Sequence, residues 1–199
     1  MASNSWGQLI ARIPIQGTLY ASYTTAKSML TSTASEASAG YTSVPPGFFT
    51  RGGYLEIDLH AGISNRVTGP DTFTIQVMVG SVIAFTSGAI NLTTTAHTTI
   101  PAVFKIMLSC QKEGTSTQAQ LMGQCIGWGQ MLAMAASLAD GAANTGWAMG
   151  PNTAPTLGTG FDSTVVNSLD LYVAQSFSGS GNGFQLAQYV VKSWGNTAP

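Results

Sequence analysis

Apolar and polar residues alternate with a period of two through much of the chain beyond residue 50. In Leu55-Glu56-Ile57-Asp58-Leu59-His60-Ala61-Gly62-Ile63 the odd positions are apolar and the even positions mostly polar. A strand sends successive side chains to opposite faces, so this segment predicts a strand buried on one face. Phe73, Ile75, Val77 and Val79 repeat the pattern, as do Phe104, Ile106, Leu108 and Cys110. So do Leu121, Gly123 and Cys125 between Met122 and Gln124, then Leu169, Leu171 and Val173. Phe184, Leu186, Gln188 and Val190 are expected on one face of a last strand, with Gln185, Ala187, Tyr189 and Val191 on the other. Turn clusters separate these runs: Gly69-Pro70-Asp71, Gly80-Ser81, Lys112-Glu113-Gly114 and Ser178 to Gly183. Many short strands punctuated by turns predict an all-β chain, a sandwich or barrel.

Two segments lack the alternation. Residues 1–43 are rich in Ser, Thr and Ala and are expected to form an irregular N-terminal arm with a short first strand. Val44-Pro45-Pro46-Gly47 then breaks regular structure, and Phe48 and Phe49 follow as anchors into the core. This divides the chain into an arm, 1–43, and a β-sandwich domain, 44–199. Residues 130–155, rich in Ala, Gly, Met and Asn, are expected to be a long rim loop or to hold a short helix over 131–138.

Charge changes the picture most. Only 8% of the 199 residues are charged, against ~25% in an ordinary soluble domain. The exterior must therefore be built from Ser, Thr, Asn, Gln and Gly, whose hydroxyls and amides cost far less to desolvate than ions. Such a surface suits a protein packed among neighbours. Seven scattered cations and a formal net charge of −1 make no basic footprint, so no nucleic-acid partner is expected. No apolar run approaches the ~20 residues that cross a bilayer, and Met1 to Leu9 lacks the form of a secretory signal, so no membrane partner is expected.

Chemistry is sparse. Glu56, Asp58 and His60 share one strand face and are the best constellation for metal or acid–base work. Their face is the polar one, so they are expected at a subunit interface, pairing with Arg66 or Arg51 of a neighbour. His97, in a polar Thr-rich stretch, is expected to be plainly exposed. Cys110 and Cys125 match no zinc spacing and are expected as small apolar residues in strands, with a cross-strand disulfide as the alternative. Gly179, Gly181 and Gly183 read as a hairpin turn, since no helix follows them. Trp128 is expected to cover the core or line a glycan-binding surface, and Trp6, Trp147 and Trp194 to anchor subunit contacts. No catalytic residue, metal site or cofactor is expected, and the chain is read as a non-enzyme.

Several segments resemble the jelly-roll virion structural proteins of tailed bacteriophages. They are Val44-Pro45-Pro46-Gly47-Phe48-Phe49, Leu59-His60-Ala61-Gly62-Ile63-Ser64, Phe73 to Gly80, Leu121-Met122-Gly123-Gln124, Gly160 to Thr164, Leu169-Asp170-Leu171 and Gly183 to Tyr189. The resemblance implies a jelly-roll-like antiparallel β-sandwich that assembles, often as a homotrimer, on the major capsid protein of a virion. The function it implies is that of a capsid cement or decoration protein on the capsid surface, assembled in the bacterial host cytoplasm. The alternatives are a minor tail or head–tail protein of the same fold, or a receptor- or glycan-binding jelly-roll module using the 130–155 segment.

Overall fold

The computed structural model describes residues 8–13, 19–21, 24–30, 42–66, 71–177, 179 and 181–195. Every regular element in them is a strand. These are β1 (Gln8–Ile13), β2 (Tyr20–Ala21), β3 (Lys27–Ser28), β4 (Thr42–Val44), β5 (Tyr54–Asn65), β6 (Thr72–Val79) and β7 (Val82–Thr86). They continue as β8 (Ile90–Leu92), β9 (His97–Lys112), β10 (Gln120–Ala133), β11 (Thr145–Gly150), β12 (Asn167–Gln175) and β13 (Gly183–Trp194).

The chain is an all-β, jelly-roll-like antiparallel sandwich made from one curled sheet. Its first layer runs β1-β13-β5-β9-β10-β11. In the second, β6 lies between β12 and the pair β7 and β8, with β3 and β4 on the far edge of β12. The short β8 bonds to both β10 and β6 and carries the sheet around the curl.

Alternation builds the core. Ile57, Leu59 and Ile63 of β5, Phe104 and Ile106 of β9, and Ile75 and Val79 of β6 are all buried between the layers. Phe73 of β6 meets Phe104 of β9 edge-on across the gap, ring centroids 5.2 Å apart. Phe48 and Phe49 are buried as anchors, and Phe49 packs on Phe161 at 5.0 Å. Cys110 and Cys125 are free buried thiols facing this core, with no disulfide between them; burial pushes the Cys125 thiol up to about 12.

Within residues 1–43, β1 and β2 pair with β13 and β3 and β4 with β12, while residues 24–26 and 29–30 between strands are irregular. The rest of the expected arm, including Trp6, lies outside the described residues, as do Gly69 and Pro70 of the expected turn. Residues 130–155 are not one loop and hold no helix: β10 continues to Ala133 and β11 returns beside it from Thr145, which leaves the loop at 134–144. The glycines before β13 do not close a hairpin, because β12 and β13 lie in different layers and never pair. Finally, the register slips at Ala187, so that β13 buries Phe184 and Leu186 and then Tyr189 and Val191. A bulge adds one residue and moves every later side chain to the other face.

Asp170 departs from its expected place on a polar face. It is buried, and its Oδ1 accepts hydrogen bonds from Ser28 Oγ at 2.8 Å and Leu171 N at 2.7 Å. Desolvation raises its carboxyl above the ordinary range, and these two donors only partly offset it. A carboxyl raised on folding favours the folded state below its unfolded pKa. That advantage is lost as pH rises through the folded value. Asp170→Asn keeps an oxygen for both donors and removes the charge. It is expected to raise the thermal midpoint at neutral pH and leave it unchanged at pH 3; a loss of stability at neutral pH alone would show that the charge is needed.

Candidate functional site

The outer face of the first layer gathers most of the residues singled out by sequence. β5 lies at its centre between β13 and β9. The register sets Glu56 opposite Lys192 and Met107, and Asp58 opposite Val190 and Lys105. The outcome is a closed quartet of ion pairs within one chain. Lys105 Nζ lies 3.1 Å from Glu56 and 3.6 Å from Asp58. Lys192 Nζ lies 3.2 Å from Glu56 and 2.6 Å from Asp58. Hydrogen bonding to Glu56 raises the Lys105 ammonium, and bonding to Asp58 raises that of Lys192. Glu56 and Asp58, expected to pair with Arg66 or Arg51 of a neighbour, take two cations within their own chain, because the strands flanking β5 deliver Lys105 and Lys192 in register. Exposed pairs of this kind contribute only ~0–1 kcal/mol each. Their consequence is electrostatic: four of the few charges on this molecule cancel on the spot.

Apolar side chains surround the quartet. Trp128 of β10 lies directly across from Trp147 of β11 and, on its other side, from Val103 of β9. The next row sets Ile126 between Met149 and Lys105. Trp128 is 47% exposed, Trp147 38% and Met149 40%. Trp128 thus faces solvent and does not cover the core. His60 is exposed in the same row as Trp128, between Val103 and Gln188. At the other end Trp194 packs on Tyr54 at 5.6 Å. Tyr54 with Met107, Ser109, Met122 and Gln124 then floors a shallow groove of about 300 Å³. Desolvation, followed by the Glu56 charge, raises the Tyr54 phenol.

Other candidates lie elsewhere. Arg66 directly follows β5 and stacks its guanidinium over Phe177, 4.4 Å from the ring centroid, away from Glu56 and Asp58. Arg51 meets Glu113 through its backbone N–H. His97 is buried, contrary to expectation. Its Nε2 lies 2.8 Å from Asp140 Oδ2, joining the start of β9 to the turn between β10 and β11. Burial pushes the Asp140 carboxyl upward, but Thr93, His97 and Gln130 beside it hold it below the ordinary range. Among the described residues, no three His, Cys, Asp or Glu side chains gather as a metal site. A second groove, about 410 Å³ between β7 and residues 151–159, is lined by no titratable side chain.

Sequence reasoning found Glu56, Asp58, His60, Trp147 and Trp194, and missed Val103, Lys105, Ile126, Met149 and Lys192. The first three of these are outward positions of strands whose alternation was already visible. What was hidden was strand order, which alone decides that β9, β10, β11 and β13 share a face with β5.

No known protein family matches the sequence, and no curated protein matches it. Two solved structures are similar in fold over most of the chain. One is the CBM2 module of the evolved Dit of Lactobacillus casei BL23 phage J-1, with 7% identity and a TM-score of 0.33, covering 98% of this chain and 99% of that one. The other is lectin I from Ulex europaeus, in complex with the methyl glycoside of alpha-L-fucose, with 9% identity and a TM-score of 0.33, covering 92% of this chain and 98% of that one.

Proposed function

We propose that this chain is a structural protein of a phage virion: a cement or decoration protein that docks on the major capsid protein and on further copies of itself, with no catalysis. The outer face of the first layer carries this assignment. It combines exposed Trp128, Trp147, Met149 and Val103 with a charge quartet that is already neutral. Aromatic and Met side chains dominate the buried centres of protein interfaces, whereas unpaired charges oppose docking. Strands β13, β5, β9 and β10, spaced ~4.8 Å apart and crossed by four rows of outward residues ~6.8 Å apart, with two of those rows continuing onto β11, give a face of about 600 Å². The smallest stable interfaces bury about that much on each partner. The resemblance of the strand and turn segments to virion jelly rolls supplies the partner. Glycan binding is the rival use of the Trp128–Trp147 pair, but its close neighbours Val103, Ile126 and Met149 offer a sugar no hydrogen bonds.

The test is made on the particle. The protein is expected in hundreds of copies per virion, and particles lacking it are expected to rupture on heating. Trp128→Lys removes an exposed side chain without touching the core and is expected to weaken attachment about thirty-fold, as the loss of a ~2 kcal/mol hot spot does. Absence of the protein from purified virions would overturn the assignment. So would binding of the isolated protein to host glycans that Trp128→Ala abolishes.

A further inference from the structure

We propose that the free edge of β11 pairs antiparallel with β11 of a second copy, about a two-fold axis through Ala148. On one side β11 is bonded to β10; among the described residues no strand lies on its other side. An edge strand is a template for another chain, and proteins that keep edges apart guard them with Lys, Pro or inward charges. Thr145–Gly150 has none: the segment is Thr-Gly-Trp-Ala-Met-Gly. Its two large side chains, Trp147 and Met149, are exposed on the outer face, and Ala148 between them is buried toward the core.

The order of sizes is what selects a second copy. Gly146-Trp147-Ala148-Met149-Gly150 reads small, large, small, large, small from either end. Antiparallel pairing with Ala148 opposite itself sets Trp147 of each copy opposite Met149 of the other. Directly opposed residues lie ~5 Å apart, close enough for a thioether to rest on an indole. The contact occurs twice and brings no like charges together. It also forms ~4 backbone hydrogen bonds. A two-fold contact of this kind consumes the edge in both copies, so it closes without growing into a fibre. The first layers of the two copies then become one continuous sheet. This contact differs in symmetry from the trimer implied by the virion resemblance.

The full-length protein tests it in solution. Light scattering after size exclusion, over about a hundred-fold concentration range, is expected to give the mass of a dimer that dissociates on dilution. Trp147→Lys and Met149→Lys are each expected to raise the dissociation constant at least about tenfold, while Val166→Lys, exposed before β12 in the other layer, changes it less than about twofold. Exchange of the β11 amides is expected to slow with concentration in the native protein only. All three substitutions are at exposed sites, and a cooperative thermal transition in each confirms folding. A monomer at every concentration overturns the proposal. So does a trimer indifferent to Trp147→Lys, or a dimer that Val166→Lys breaks as readily, since that would be docking away from the β11 edge. A dimer absent from virions would sink the cement assignment and leave this pairing standing; a monomer that decorates virions would do the reverse.

Discussion

Phe104→Ala is expected to destabilise the fold by about 4 kcal/mol, within the range found for buried aromatic truncations. Phe104 is fully buried at the middle of β9 and is the point where the layers touch, through its edge contact with Phe73. Its neighbours cannot fill the space it leaves. Gly127 of β10, directly opposite in the register, has no side chain, and a Cβ added there would lie 2.5 Å from two carbons of the Phe104 ring. The glycine is the hole that the ring occupies. Alanine therefore leaves a cavity bounded by backbone on the β10 side, and backbone held in a sheet does not collapse inward cheaply. A domain with a total stability of ~5–15 kcal/mol would lose a large share of it. Denaturant titration should show a lower midpoint at unchanged slope. A loss below about 1 kcal/mol would mean that the two layers are not held together at this point.

The same pair explains what alternation in a sequence reveals and what it hides. Phe104, Ile106, Leu108 and Cys110 were legible as one inward set because the pleat fixes the period at two, and all four are buried. The period continues to hold wherever hydrogen bonding is regular. It failed at Ala187, where the inserted residue leaves no mark in composition: Gln185-Leu186-Ala187-Gln188-Tyr189 alternates equally well in either frame. It failed at Asp170 and His97 for another reason. Both are titratable residues at positions that read as outward or exposed, and each is buried by contacts from distant segments: Ser28 for one and Asp140 for the other. Local pattern carries no information about a partner so far along the chain, 142 residues for Ser28 and Asp170 and 43 for His97 and Asp140. The outer-face site was half legible on the same grounds. Glu56, Asp58 and His60 declared their shared face, but Lys105 and Lys192 became their neighbours only through strand order.

Strand order depends in turn on how the chain passes from β12 in one layer to β13 in the other, and Asp71 holds that passage. Its side chain is buried just before β6. Oδ1 accepts hydrogen bonds from Thr72 N at 2.9 Å and Ser176 Oγ at 2.7 Å, and Oδ2 accepts one from Asn182 Nδ2. Ser176 follows the end of β12 and Asn182 precedes β13, so one carboxylate clamps both ends of the crossing to β6. Asp71→Ala is expected to cost about 3 kcal/mol, because the buried Asn182 amide and the exposed Ser176 hydroxyl both lose a charged acceptor, at ~1.5–3 kcal/mol for such a bond and least for the exposed one. Thr72 N keeps a second partner in Ser176 Oγ and adds little to this cost. Asp71→Asn separates charge from hydrogen bonding. It keeps an oxygen for Thr72 and Ser176, but turns an amide N–H₂ toward the N–H₂ of Asn182. Rotation of the Asn182 amide would present its otherwise unpartnered Oδ1 instead, at the expense of the bond to Phe177 O. The amide variant is therefore expected to lose about 1 kcal/mol, a third of the alanine effect. Amide exchange should accelerate first at Asn182 and Gly183 in both variants, ahead of the central strands, because local opening starts where the restraint has gone. If instead β5 and β9 lost protection together with the crossing, Asp71 would be holding the whole sandwich and not the passage between its layers.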